Sequence, residues 1–127
     1  MKPLLSGLVA CALALPATAH HSFAMFDREK EVTLEGVVKE FQWTNPHTWV
    51  QLLVTGADGK TVEWSIEGTS PNGLKRQGWK SNTIKSGDKV IAVIHPLRNG
   101  EPGGALVMVT LPDGTVLGRR APRPSAE

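Results

Sequence analysis

Residues 61–79 read TVEWSIEGTSPNGLKRQGW, and the fold turns on how this stretch changes character midway. The first seven residues alternate: Val62, Trp64 and Ile66 on one side, Glu63, Ser65 and Glu67 on the other. That period describes a strand buried on one face and wetted on the other. The alternation then stops. Ser70 supplies an N-cap oxygen, and Pro71 suits the first helical position because its missing amide hydrogen would go unbonded there anyway. Gly78 offers a stop, so the predicted helix has only about two turns. Leu74 and Trp79 are its expected contacts with a core.

Working outward, the flanks read as strands. Over residues 31–43, Val32 and Leu34 share one parity, whereas Val37, Phe41 and Trp43 share the other. The phase change falls at Gly36, where a bulge or sharp bend would re-aim the side chains. Thr44-Asn45-Pro46 breaks this strand, and residues 47–55 resume with Val50, Leu52 and Val54 on one side. Gly56-Ala57-Asp58-Gly59 is hairpin-turn chemistry. After the helix, Lys85-Ser86-Gly87-Asp88 turns into a strand over 90–97. A loop over 98–104, a strand over 105–111 and a short one over 115–117 follow. The class is all-β with one short helix, in the order β-β-β-α-β-β. That is the order of an OB-fold, a small barrel plugged by a helix between its third and fourth strands. An SH3-like barrel or an open sandwich are the alternatives. The barrel domain is assigned to residues 31–118, preceded by an arm over 20–30 and followed by a disordered tail over 119–127, rich in arginine, proline and alanine.

Residues 1–19 read as a cleavable export signal. Met1-Lys2 is a small basic start, Leu4 to Leu15 is mostly apolar, and Pro16-Ala17-Thr18-Ala19 places small residues where signal peptidase reads them. The stretch is too short for a transmembrane anchor. Leu8-Val9-Ala10-Cys11 offers a competing lipoprotein reading, with Cys11 lipidated, but that would strand apolar residues on the mature chain. The predicted cut after Ala19 removes Lys2 and Cys11, taking 14 basic residues to 13 against 12 acidic ones. So small a charge is no lure for nucleic acid or anionic lipid. Without cysteine the mature chain has neither disulfide nor thiolate metal site.

Four stretches, considered together, carry a family resemblance. The start His20-His21-Ser22-Phe23, FQWTNPHTW (41–49), WSIEGTSPNGLKRQGW (64–79) and HPLRNGEPGGAL (95–106) resemble a family of small exported Gram-negative bacterial proteins built on a domain of unknown function. The resemblance implies periplasmic residence and a single small β-domain. It brings no catalytic or binding residues with it.

Chemistry therefore has to be read from the residues. A chain beginning at His20 would carry a terminal amine and an imidazole on one residue, a chelating pair released only by processing. A third nitrogen would complete a T-shaped set suited to Cu(II), as in copper histidine-brace proteins, and copper heads the affinity order among divalent first-row ions. His21, His47 and His95 complete the list of candidate metal ligands, the last two beside prolines at strand ends. A cut after Thr18 would give Ala19-His20-His21, which also binds Cu(II). Met25 and Met108 are thioether candidates for Cu(I), with packing as the plainer role for Met108.

Tryptophan is plentiful for a chain of this size, and tyrosine is absent. Trp64 and Trp79 read as core. Trp43 and Trp49 flank Asn45-Pro46-His47 at the loop that borders the ligand face of an OB-fold, where aromatics can stack on a sugar, a base or a flat cofactor. Trp43, Asn45 and Trp49 are the candidate ligand-binding residues. Glu63 and Glu67 share a strand face without a nucleophile or oxyanion donor beside them, so no enzyme is predicted. The expectation is a periplasmic binding protein, with copper as its candidate cofactor. A small-molecule or exported-protein interaction module, working without metal around Trp43, His47 and Trp49, is the alternative.

Overall fold

The structure is a computed structural model that describes residues 23–118. The expected signal peptide with Cys11, the histidines at 20 and 21, and the tail over 119–127 lie outside the described residues. A 3-10 turn (Phe23–Met25) leads into β1 (Val32–Gln42), β2 (Trp49–Thr55), β3 (Thr61–Glu67), α1 (Pro71–Arg76), β4 (Lys89–Pro96), β5 (Gly103–Thr110) and β6 (Val116–Gly118). Among the described residues no helix is long and apolar enough to cross a membrane.

The sheet runs β3-β2-β1-β4-β5-β6, and β3 also pairs with β5 in parallel. That pairing, Ser65 to Gly103 through Glu67 to Ala105, closes the barrel. β1 holds both neighbours by dividing its length: its first half pairs with β4 and its second with β2. This arrangement of five closed strands with the helix between β3 and β4 is the OB-fold. The closure rules out the open sandwich, and the helix position rules out the SH3-like barrel.

The phase change in β1 is present, but its position differs from the sequence reading. Leu34 (6% exposed) and Val38 (1%) both face the core, so Val38 rather than Val37 is the inward residue. The register slips between Val38 and Glu40, three residues beyond Gly36. Gly36 has another task. A Cβ there would stand 2.5 Å from the Leu53 carbonyl oxygen and 2.9 Å from Leu52 Cγ, so glycine permits the close approach at which β1 crosses β2.

The core gathers Leu34 and Val38 from β1, Val50 and Leu52 from β2, Ile66 from β3, Val90, Ala92 and Ile94 from β4, and Val109 from β5. Helix α1 closes one end as its sequence predicts. Ser70 Oγ accepts from the Gly73 amide at 3.2 Å, Pro71 takes the first turn, and Gly78 has φ +91°. Leu74 and Trp79, each 2% exposed, seat the helix on the core. Fully burying such side chains stabilises the fold by roughly 1.5–3 kcal/mol each.

Candidate functional site

Strand register brings two histidines to one end of the barrel. Trp49 on β2 pairs with Glu67 on β3, Glu67 with Ala105 on β5, and Ala105 with His95 on β4. The neighbours one residue along, Val50, Ile66, Gly104 and Ile94, are buried. Side chains alternate along a strand, so Trp49, Glu67, Ala105 and His95 share the outer face. His47 enters this row from the loop before β2.

The two imidazoles are held alike. His95 Nδ1 lies 2.8 Å from the Lys30 carbonyl oxygen. His47 Nδ1 lies 3.3 Å from the Gly68 carbonyl oxygen and 3.4 Å from Glu67 Oε1. A ring nitrogen facing only acceptors carries the proton, which assigns the Nδ1–H tautomer to each neutral ring. In both, Nε2 keeps its lone pair for an incoming proton, metal or donor. Metal-ligating histidines are fixed in this way, by a carbonyl or carboxylate on the other nitrogen.

The loop behind His47 is locked. Thr44 Oγ1 donates to the His47 carbonyl at 2.7 Å, and the Asn45–Pro46 peptide is cis. Thr48, 1% exposed, donates its hydroxyl to the Thr69 carbonyl at 2.8 Å. Asn45 is exposed at the tip of the turn.

Residues 23–30, aperiodic in sequence, are docked against the end of β4. Phe26, 7% exposed, bridges Leu97, and the Asp27 amide donates to the Pro96 carbonyl at 2.8 Å. Arg98 clamps the segment: its amide donates to the Met25 carbonyl at 2.9 Å and its Nε to the Ala24 carbonyl at 3.0 Å. Asp27 adds contacts to Lys30 Nζ at 3.3 Å and Arg98 Nη1 at 4.0 Å. Burial opposes ionisation of Asp27, but hydrogen bonds from Lys30 and the Glu29 amide, together with the charges of Lys30 and Arg98, hold its carboxyl below the usual 3.8.

Other candidates separate. Trp43 turns toward the helix, packing edge-on against Phe41 at 5.7 Å, while Trp49 stays on the outer face of β2. Glu63 and Glu67 do not act as a pair. Glu63 binds Lys39 Nζ at 2.9 Å, and this hydrogen bond raises the ammonium above its usual 10.5, whereas Glu67 backs His47. Met25 is exposed at 40%, and Met108 lies in β5 opposite Val93. No three metal-capable side chains converge among the described residues. Sequence reading overlooked Glu67 as a partner of His47 and Arg98 as a clamp. The first was within reach: the turn at 56–59 sets the hairpin register, which puts Glu67 opposite Trp49.

The family of unknown function DUF6152 matches residues 8–106, most of the chain. The chain belongs to this family. No curated protein matches it. Among solved structures, the crystal structure of Rim1, a mitochondrial single-stranded DNA-binding protein from S. cerevisiae, is similar with a TM-score of 0.48. The two are 11% identical, over 65% of this chain and 94% of that one.

Proposed function

We propose that this DUF6152 protein is a non-enzymatic exported binding protein that holds Cu(II) between its processed N-terminus and His95. The observation that carries the reading is the His95 hydrogen bond to Lys30, which leaves Nε2 as a free nitrogen donor at the barrel end where the N-terminal segment is pinned. Arg98 grips the Ala24 and Met25 carbonyls beside that histidine. His20 lies four residue steps before Ala24, so covalent geometry keeps it within about 14 Å of Ala24. The amine and ring of His20, completed by His95 Nε2, make the three-nitrogen set that Cu(II) favours. His21 is a further nitrogen donor on the same segment, whereas His47 lies three strand pairings from His95 and serves the other reading.

The test is to isolate the protein from the periplasm of an expressing bacterium, then fix its first residue and its metal by mass spectrometry. A chain starting at His20 that retains one copper supports the reading, provided His95→Asn weakens copper retention. A chain starting elsewhere and binding no copper sinks it.

A second reading rests on a separate observation, the outer face that carries His47, Glu67 and Trp49. The face over β2 and β3 is where OB-folds take oligonucleotides and oligosaccharides. Formal charge near zero disfavours a polyphosphate backbone there, so an uncharged saccharide or an exported protein suits it better. Tryptophan quenching by such a ligand without metal, abolished in Trp49→Ala, would favour this reading over copper.

A further inference from the structure

We infer that the open depression between the end of β1 and helix α1 is a second binding site, which takes a small anionic ring compound. Trp43, Lys75, Gly78, Trp79, Lys80 and Ser81 line about 500 Å³ there. That volume suits a ligand of one or two rings. The site lies on the helix side of the barrel and shares no residue with the histidine row.

The chemistry of the wall is one-sided. Lys75 and Lys80 bring ammonium groups and Ser81 a hydroxyl, and no carboxylate lines the depression. Elsewhere Lys30, Lys39 and Lys85 lie against Asp27, Glu63 and Asp88. Lys75 and Lys80, like Lys60 and Lys89, have no carboxylate within salt-bridge distance among the described residues, but only Lys75 and Lys80 stand together at a depression. The Trp79 indole nitrogen is buried and meets no acceptor among the described residues. A wall of donors and cations asks for acceptors and negative charge.

The aromatic lining asks for a ring. Trp43 is half-buried, and behind it Phe41 packs against both Trp43 and Trp79 with centroids 5.7 Å apart in each pair. Phe41 props up one side of Trp43, so its free surface is held in place for a flat or CH-rich guest. Charge from the lysines and stacking on Trp43 together select an aromatic carboxylate, or a sugar ring bearing a carboxylate or phosphate.

The experiment titrates the folded mature protein with naphthoate and, separately, with neutral naphthamide, following the indole N–H cross-peaks of Trp43 and Trp79 by NMR. Naphthoate is expected to shift both peaks saturably and to bind more weakly as salt rises. The double variant Lys75→Gln/Lys80→Gln alters only exposed side chains and should bind naphthoate roughly fivefold to tenfold more weakly. Equal binding of naphthamide, undiminished binding by the double variant, or no saturable shift would each overturn the inference. With the protein kept metal-free, these readouts do not involve copper, so the copper reading and this one stand or fall separately.

Discussion

His47 Nδ1 stands 3.4 Å from Glu67 Oε1 and 3.3 Å from the Gly68 carbonyl oxygen, and the β2–β3 register, extended by the backbone bonds of Thr48 to Gly68 and Thr69, brings these three groups together. Both contacts are acceptors, so the neutral ring is held as the Nδ1–H tautomer with Nε2 outward. Nitrogen-15 NMR of the neutral His47 ring should report that tautomer. In Glu67→Ala one of the two acceptors is gone, and the Nε2–H form should gain population. A parent protein already in the Nε2–H form would contradict the assignment.

Gly68 and Thr48 form a tight joint behind that ring. The Gly68 amide donates to the Thr48 carbonyl at 2.8 Å, and a Cβ on Gly68 would overlap Thr48 Oγ1. Gly68→Ala should therefore cost about 1–3 kcal/mol, the range for overpacking. Thr48→Ala should itself cost about 1 kcal/mol through its lost hydrogen bond. Because the second change removes the atom that the first one strikes, the double variant should be more stable than the sum of the two losses implies. Simple additivity in denaturant melts would show that the two positions do not press on each other.

Acid should loosen the N-terminal segment. Asp27 ionises more readily in the folded chain than in the unfolded one, so its contribution is fully present above its ordinary value of 3.8 and is lost as pH falls through the lower folded value. Asp27→Asn should melt at a lower temperature than the parent at pH 7, with the two melting temperatures converging as pH falls through the lowered folded value. A gap that persists unchanged into acid would mean that Asp27 works through shape and not charge.

Arg98 should matter to copper without touching it. Arg98→Ala removes the Nε contact to Ala24 and the approach to Asp27 while keeping the backbone bond to Met25. The N-terminal residues then sample more space, and Cu(II) affinity should fall by roughly tenfold, in the range found for groups that orient ligands. Arg98→Lys, which restores a charge near Asp27 but not the planar reach to Ala24, should recover only part. Calorimetric titration with Cu(II) reads both, and identical affinities across the series would remove Arg98 from the site.

The fold was largely legible because its signals are local. Alternation from Val62 to Ile66, the Ser70-Pro71 cap and the left-handed glycine at 78 each sit within a few residues of the structure they dictate. The bulge in β1 was misplaced because Val37 and Val38 are adjacent and equally apolar, so parity alone could not say which faces inward. Only the pairing of Val38 with Leu52 decides it. The site was less legible for the same reason on a longer scale. His95 is oriented by Lys30, 65 positions away, and Ala24 is gripped by Arg98, 74 positions away. Composition around residues 20–30 suggests an arm, and nothing local announces that Phe26 docks. Trp43 and Trp49 look equivalent on either side of Asn45-Pro46-His47, yet the loop sends one toward the helix and the other to the outer face.

The most direct test compares Cu(II) affinity for two chains: one starting at His20, the other carrying a single extra glycine ahead of it. The fold and every side chain are common to both, and only the position of the terminal amine changes. Competition against a chelator of known strength should show the extended chain weaker by well over tenfold, more than about 1.4 kcal/mol. Equal affinity would contradict a site built on the amine of His20, and with it the proposed role of this protein in holding copper.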